Sequence, residues 1–358
     1  WDMGTGSWLS DGKAAMSSHK YPRERLISFF GRANYSYKDR YMVTGSVRHE
    51  GSSKFGKNHR SGTFWAVSGG WRISNEAFLR DVSFLDDLKV RVGYGVTGNN
   101  NFSAGASTAM YSSNSMWPYN GTWITSYGPA RNVNNDLHWE KAKNWNIGID
   151  FSLLNNRISG SFNYYNRKQQ DLLGDYNVPV PPYLHSTTFV NVGTMKNSGF
   201  EFDLHFTAIQ LKDFDYSIDF VGATMDNKFV NFSNSDYVGQ DYYDMVETSD
   251  PYPLYTLQRI SAGERIGNFY MWKYAGIDKN GNFMIYDREG NIKPAANGTN
   301  DDKQIVGNGL PKFTASMTHN FHWRNWDLSI FFRGAFGYDI FNVHDFYYCL
   351  LYTSPSPR

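Results

Sequence analysis

The chain has 358 residues, including 26 Phe, 25 Tyr, 11 Trp and 33 Gly, and aromatic residues make up 17% of it. Its 35 Lys and Arg residues nearly balance its 34 Asp and Glu residues, which leaves no basic field for binding nucleic acid. Mean hydropathy is −0.55, and no stretch reaches the ~18 consecutive apolar residues of a membrane-spanning helix. A membrane β-barrel is not excluded, because its strands alternate apolar and polar residues.

Both ends of the sequence are unusual. The chain starts at Trp1 without the basic and apolar segments of a signal peptide, so we expect it to be truncated at its start. Residues 349–358 (CLLYTSPSPR) resemble a translated sequencing adapter, and we interpret them as a non-native tail. A disordered Ser/Pro tail is the alternative. The tail contains the single cysteine, Cys349, so neither a disulfide nor a cysteine-based metal site is expected.

Apolar and polar side chains alternate along most of the sequence from residue 26 onwards. Between residues 26 and 37, for example, Ile27, Phe29 and Tyr35 alternate with Ser28 and Asn34. A period of two predicts a strand with one apolar and one polar face. We predict about ten such strands, each near the ~9–11 residues that cross a bilayer when tilted. They are residues 26–37, 41–50, 62–73, 88–97, 143–153, 158–168, 196–209, 214–224, 312–321 and 326–338.

The connections between these strands alternate in length. Tight turns at residues 38–40, 154–157, 210–213 and 322–325 alternate with long loops at 51–61, 98–142, 169–195 and 225–311. The intermediate segment 74–87 falls on the tight-turn side and contains a predicted helical turn at 76–79. Short turns on one side and long loops on the other are typical of outer-membrane barrels. The sequence therefore predicts an all-β fold, an antiparallel transmembrane β-barrel, with a soluble β-sandwich or a repeat β protein as the alternative.

A glycine motif suggests a nucleotide site but lacks the required context. Residues 93–98 match G-x-G-x-x-G after a predicted strand. Asparagines at 99–101 follow, where a helix would have to begin in order to bind pyrophosphate. We therefore interpret the glycines as relieving crowding in the barrel wall.

A second motif resembles a calcium loop. Asp278, Asn280, Asn282 and Glu289 occupy EF-hand ligand positions, but Phe283 replaces the glycine of the sharp turn. A hairpin turn at Asn280-Gly281 is the better interpretation. We expect no cofactor, with calcium in this loop as a weaker alternative.

Charged residues on the polar face of the predicted strands are expected to line the interior of a barrel. Charges of both signs suit polar, largely neutral ligands. These residues are Arg32, Arg48, Glu50, Arg72, Lys89, Arg91, Asp150, Arg167, Glu201 and Asp203, with Asp327 and Arg333 further along the chain.

The long loop at residues 98–142 carries aromatic residues among Ser, Asn and Gly. They are Tyr111, Trp117, Tyr119, Trp123 and Tyr127. Exposed aromatic rings stack on sugar rings or peptide side chains, or dock a partner; packing of the loop against its neighbours is the alternative. No H-E-x-x-H or G-x-S-x-G motif occurs, so no catalytic residues are assigned.

Nine segments recur in the order of a known family. They are residues 28–41 (SFFGRANYSYKDRY), 48–56 (RHEGSSKFG), 70–76 (GWRISNE), 88–99 (LKVRVGYGVTGN), 137–141 (LHWEK), 146–150 (NIGID), 191–201 (NVGTMKNSGFE), 310–314 (LPKFT) and 331–341 (FFRGAFGYDIF). In this order they resemble the SusC/RagA-type TonB-dependent outer-membrane transporters of Bacteroidetes.

The resemblance implies a barrel of about 22 strands with an N-terminal plug, which actively imports oligosaccharides or peptides across the bacterial outer membrane. It implies three partners besides the cargo: the lipid bilayer, a SusD-like surface lipoprotein that closes over the barrel, and TonB, which drives transport. Residues 1–348 would then form part of the barrel domain, about ten consecutive strands truncated at both ends. The plug, the TonB-contacting segment and the remaining strands would be absent.

Two other functions remain open from the residues alone. One is a complete ten-stranded outer-membrane barrel enzyme with a catalytic carboxylate and histidine group at its mouth. The other is a soluble carbohydrate-binding β protein.

Overall fold

The computed structural model describes residues 7–8, 14–15, 24–79, 82–103, 105–109, 111–234, 237, 239, 241–247 and 256–343. Short 3-10 helices span Ile73–Asn75, Ala295–Asn297 and Asn300–Asp302. Among the described residues, no helix is long and apolar enough to cross a membrane. The strands are β1 (Ser7–Trp8), β2 (Ala14–Ala15), β3 (Leu26–Tyr37), β4 (Tyr41–Ser52), β5 (Ser61–Arg72), β6 (Leu85–Asn99), β7 (Tyr111–Tyr119), β8 (Thr122–Pro129), β9 (Glu140–Leu153), β10 (Ile158–Gln170), β11 (Leu173–Asn177), β12 (Thr187–Asn191), β13 (Thr194–Gln210), β14 (Phe214–Thr224), β15 (Asp226–Asn231), β16 (Tyr242–Glu247), β17 (Thr256–Ser261), β18 (Asn268–Met271), β19 (Lys273–Ile277), β20 (Phe283–Tyr286), β21 (Ile292–Pro294), β22 (Gln304–Asn308), β23 (Phe313–Trp323) and β24 (Trp326–Phe336).

Ten long strands form one antiparallel sheet whose order follows the chain: β3, β4, β5, β6, β9, β10, β13, β14, β23 and β24. These are the ten predicted strands, and their bounds differ from the prediction by a few residues. β15 pairs with the loop end of β13 and extends the sheet there. Strands that lie next to each other in this order are joined by either a tight turn or a long loop, so the sheet is an up-and-down meander.

The sheet is open within the described residues. β3 pairs only with β4, and β24 pairs only with β23. The complete ten-stranded barrel, which requires β3 to pair with β24, is therefore wrong for this part of the chain. Each of the two edge strands presents a row of unpaired backbone groups, which a bilayer cannot satisfy.

The register separates an apolar face, which carries Ile149, from a polar face, which carries Asp150. On the apolar face, Val90, Ile149, Phe162 and Phe202 stand side by side across β6, β9, β10 and β13. Ile149 is 42% exposed and Phe162 is 49% exposed, so these side chains do not form a protein core. In β9 the outward apolar residues run over residues 145–153, close to the ~9–11 residues that cross a bilayer.

Aromatic rings mark both ends of the apolar face. Near the loops, Tyr94 contacts Trp65 and Trp145, with ring centroids 5.3 and 4.8 Å away. Near the tight turns, Tyr41 stacks on Trp71 at 6.5 Å. Aromatic girdles of this kind lie at the two membrane interfaces of outer-membrane barrels.

The segment between β5 and β6 corrects one local prediction. A 3-10 helix occupies Ile73–Asn75, whereas the predicted helical turn at 76–79 is only a hydrogen-bonded turn, with the Leu79 amide donating to the Glu76 carbonyl at 3.1 Å. The Glu76 carboxylate fixes the segment, because it accepts hydrogen bonds from the Tyr41 hydroxyl at 2.5 Å and the Trp71 indole at 3.1 Å. Those two hydrogen bonds lower the pKa of Glu76.

The long loops enclose a small hydrophobic core of their own. Phe55, Phe64, Leu137 and Trp139 are buried there, and we call these four residues the loop core. Gly56 is required beside it, because a Cβ at this position would lie 1.9 Å from the Asn135 carbonyl oxygen. The loop end of the sheet is thus a packed structure that is held together by residues far apart in the sequence.

The glycine motif at residues 93–98 lies entirely within β6, and the next element among the described residues is β7, not a helix. A Cβ at Gly98 would lie 2.1 Å from the Phe64 ring, whereas one at Gly93 would have only ordinary contacts. Relief of crowding therefore explains Gly98 but not Gly93.

Candidate functional site

The register places all ten predicted interior residues on the polar face. Arg72, Lys89, Asp150 and Asp203 stand in a single row across β5, β6, β9 and β13, with Ser161 of β10 between the last two. The remaining six, Arg32, Arg48, Glu50, Arg91, Arg167 and Glu201, share this face through the same alternation. Asp327 and Arg333 of β24 also lie on this face. Whether this face lines the interior of a barrel stays a prediction.

Part of this charge is neutralised within the face. Arg91 binds Asp150 through two hydrogen bonds, Nε to Oδ2 at 2.7 Å and Nη2 to Oδ1 at 2.6 Å. Arg48 pairs with Glu50, and Arg72 pairs with Asp87 at 3.3 Å and with Asp39 of the adjacent turn. Bidentate Arg–carboxylate contacts have the strongest geometry of these.

Other charges on the face are available to a ligand. Lys89, Arg167 and Glu201 form no ion pair in the part of the chain that the structure describes. Arg167 and Glu201 are exposed. Because charges of both signs occur on it and several of them are paired, the polar face is hydrophilic but close to neutral overall.

A cleft of about 790 Å³ opens where the polar face meets the long loops. Its floor is formed by Asn99, Glu140 and Gln169 at the loop ends of β6, β9 and β10. Its walls come from the loops and include Phe102 and Phe189. Ligand clefts in proteins have volumes of about 300–1,000 Å³.

Glu140 is the most deeply buried polar residue of this floor, with 4% exposure. Its carboxylate accepts hydrogen bonds from Asn99 Nδ2 at 3.3 Å and from Gln169 Nε2. Sequence reasoning missed this residue, because the predicted strand began at residue 143 whereas β9 begins at Glu140. Continuing the alternation back from Asp150 identifies it.

The predicted loop aromatics lie on a separate two-stranded hairpin formed by β7 and β8. Asn120 and Gly121 make its turn with φ values of 47° and 78°, as a two-residue hairpin requires. Trp117, Tyr119 and Trp123 are 65%, 66% and 66% exposed, so these rings do not pack against neighbouring loops in the part of the chain that the structure describes. Tyr111 and Tyr127 belong to the same strands, but their side chains lie outside the described residues.

The calcium-like loop forms the predicted hairpin. β19 and β20 pair antiparallel, and Gly281 in the turn has a φ of 86°. The Asp278 carboxylate accepts hydrogen bonds from the Asn282 side chain and from the backbone amides of Asn282 and Asn280, and these hydrogen bonds lower the pKa of Asp278. Within the described residues, no three His, Cys, Asp or Glu side chains are arranged to hold a metal ion.

An ion pair next to the loop core joins two loops. His138 Nε2 lies 3.8 Å from Asp171 Oδ2. The buried Asn191 positions the pair, because its side-chain Nδ2 donates to the carbonyls of both residues, at 2.7 and 3.0 Å. Its Oδ1 accepts from the His138 amide at 2.9 Å. Asn191 begins the family-like segment 191–201, but no role for it follows from the sequence alone.

We expect the His138–Asp171 contact to depend on pH. The Asp136 carbonyl engages His138 Nδ1 at 2.8 Å, so protonation occurs at Nε2, which faces Asp171. The hydrogen bond to Asp171 raises the pKa of His138 above 6.5, although burial and the charge of Lys141 act in the opposite direction. In turn, His138 lowers the pKa of Asp171 below 3.8. The stabilisation is therefore complete between about pH 4 and 6.5. It is lost as pH rises through the raised His138 pKa or falls through the lowered Asp171 pKa.

The size of this effect is small, because both side chains are more than a third exposed, and exposed pairs contribute about 0.2–1 kcal/mol. Protection of the loop amides around residues 138 and 171, taken as the ratio of the intrinsic exchange rate at each pH to the observed rate, should be greatest near pH 6 and lower at pH 8. Asp171→Asn should remove that pH dependence. An unchanged profile in Asp171→Asn would show that the His138–Asp171 contact is not the source of the pH dependence.

Comparison with known proteins agrees with this architecture. Residues 4–348 match the family model described as TonB dependent receptor-like, beta-barrel. The TonB-dependent receptor SusC of Bacteroides thetaiotaomicron is 33% identical over 337 residues, 91% of this chain and 32% of SusC. TonB-dependent receptor P3 of Formosa agariphila is 32% identical over 360 residues, 93% of this chain and 34% of that protein. The chain therefore spans about a third of the length of these curated relatives.

Solved structures show the same fold. The RagAB peptide importer in its open-open state superposes with a TM-score of 0.76 and 27% sequence identity, over 93% of this chain and 35% of that chain. A second RagAB peptide transporter structure gives a TM-score of 0.73 over 92% of this chain and 36% of that one. The chain belongs to the TonB-dependent receptor-like β-barrel family of the outer membrane, and within that family it is of the SusC/RagA type.

Proposed function

We propose that this chain is part of a transporter that imports oligosaccharides or peptides across the outer membrane with energy supplied through TonB. The observation that carries the proposal is the division of one sheet into an exposed apolar face and a charged polar face, with a cleft among the loops. SusC and the RagAB peptide importer, the relatives named above, support it. Residues 1–348 would be barrel domain, and residues 349–358 would lie outside it. Enzymatic activity is not part of the proposal.

The open sheet edges and the exposed hairpin suggest the partners. We infer that β3 and β24 pair with further strands of the same barrel, because two unpaired edges are incompatible with lipid. The β7–β8 hairpin projects uncharged, exposed rings on the loop side. Such rings suit a contact with cargo or with a SusD-like lipoprotein lid, since aromatic anchors dominate protein interfaces.

Uptake by intact cells tests the function. Fluorescent oligosaccharide and peptide mixtures should enter the periplasm of cells that express the protein, and deletion of TonB should abolish entry. Trp117→Ala with Trp123→Ala should reduce uptake about tenfold, since an aromatic anchor contributes about 1–2 kcal/mol.

The control for this experiment is Tyr274→Ala, because Tyr274 is 60% exposed but lies in β19, which belongs to a different sheet from the hairpin. Surface levels of each variant are measured by immunoblot. Uptake that continues without TonB contradicts the transport proposal. Equal losses in the Tyr274 variant would contradict the role of the hairpin.

A further inference from the structure

The cleft between the polar face and the long loops carries a second, more specific inference, which rests on the proposed transport function. We propose that it is a binding subsite for an uncharged saccharide unit. The claim goes beyond membership of the family, because it selects one cargo class and names the residues that bind it.

The floor of the cleft offers hydrogen-bonding groups in fixed positions. Glu140, Asn99 and Gln169 come from three adjacent strands that are paired on both sides, so these side chains stand on a rigid base. A carboxylate has about four lone-pair positions, and the two amide donors use two of those on Glu140. The remaining positions are free to accept sugar hydroxyl protons, and the two amides add carbonyl oxygens.

One wall of the cleft is aromatic. The rings of Phe102 and Phe189 lie 5.6 Å apart at 38°, and Phe102 rests on the buried Phe55 at 5.2 Å. Support from the loop core fixes the Phe102 ring before any ligand arrives, which lowers the entropic cost of binding. A pyranose ring has an apolar C–H face and a polar rim. It therefore matches a cleft with a phenyl wall and a carboxylate–amide floor.

The charge of the cleft disfavours an anionic ligand. Arg131, Asp175 and Glu140 line the cleft, and their formal charges of +1, −1 and −1 sum to −1. No lysine, arginine or histidine in the described ranges forms an ion pair with Glu140. The amides that surround this carboxylate are suited to a hydroxyl-rich ligand, as polar groups in specific sites are few and convergent.

The backbone of β10 and β12 beside the cleft leaves no edge for a peptide bound as an added strand. Strand addition requires a free sheet edge, and β10 is paired on both sides at Gln169. In β12, the carbonyls of Thr187 and Phe189 already accept hydrogen bonds from the side chains of Asn132 and Asn134. β11, which lines the cleft through Leu173 and Asp175, pairs only with β12 among the described residues, and the peptide panel below tests binding along its other edge.

Binding to two matched panels tests the subsite. The protein, purified from outer membranes in detergent, is titrated with neutral hexasaccharides (α- and β-glucan, mannan, xylan and fructan fragments) and with uncharged hexapeptides. At least one saccharide should bind, and Glu140→Gln and Phe102→Ala should each weaken it about tenfold or more. Thr187→Trp fills the cleft from an exposed position and should abolish binding without disturbing the loop core. Glu264→Gln, at an exposed carboxylate that does not line the cleft, should leave binding unchanged.

The outcomes separate this inference from the proposed function. Binding of peptides alone, no binding of any saccharide, or saccharide affinity that Thr187→Trp leaves unchanged would each overturn the saccharide subsite. TonB-dependent uptake of peptides alone would leave transport standing while the subsite falls. If saccharide binds in the cleft but nothing crosses the outer membrane, the subsite stands and the transport proposal fails.

Discussion

Arginine in place of Phe162 is expected to destabilise the membrane-inserted protein by about 2–4 kcal/mol, the cost of an arginine near the bilayer midplane on a barrel. Phe162 lies on the apolar face opposite Ile149, which is the midpoint of the apolar stretch 145–153 of β9. An arginine there would have to desolvate its guanidinium group among hydrocarbon chains. Denaturant unfolding of the protein in outer-membrane vesicles measures the change.

Ser161→Arg is the matched control, because residue 161 belongs to the same strand at the same depth and points to the polar face. Its neighbours there are Asp150 and Asp203, so a new guanidinium group would find carboxylates and water. We expect little loss of stability. Phe162→Ala separates loss of the ring, which contacts Phe151 and Phe202, from the cost of the charge. Equal effects of arginine at 161 and 162 would contradict the assignment of the two faces.

The strands and their faces could be predicted from the sequence because each strand records its environment locally. Alternation in β9 and β10 needs no knowledge of any other segment. The sheet order also follows, since tight turns force neighbouring strands together. The closed ten-stranded alternative could not be tested in this way, because edge pairing depends on residues separated by almost the whole chain.

The loop end could not be predicted because its contacts join distant segments. The Trp139 indole donates to the Arg60 carbonyl, 79 positions away, at 3.2 Å. The floor of the cleft combines β6, β9 and β10 with two loops, and no periodic pattern encodes that arrangement. The β7–β8 hairpin is different, because Asn120-Gly121 between aromatic residues is a hairpin signal. The hairpin is therefore encoded locally, within residues 111–129.

Leu137→Ala is expected to unfold the loop end locally while the sheet stays intact. Leu137 is completely buried in the loop core, and truncation of a buried leucine costs about 2–5 kcal/mol, partly through the cavity it leaves. Because its carbonyl also accepts from the Gly56 amide at 2.9 Å, loosening of residue 137 should spread to the loop at residues 53–60.

Hydrogen exchange measures this local opening. A cost of 2 kcal/mol or more corresponds to exchange about 30-fold faster or greater, and we expect it at residues 53–60 and 137–139 but not in β9 or β10. Val133→Ala is the control, since Val133 lies in the same loop and is 42% exposed. Equal protection loss in both variants would show that burial in the loop core is not what holds the loops. Loss of protection throughout β9 and β10 would show instead that the loop core and the sheet unfold as one unit. Because Phe102 packs on this core, saccharide binding in the cleft should weaken in Leu137→Ala and persist in Val133→Ala.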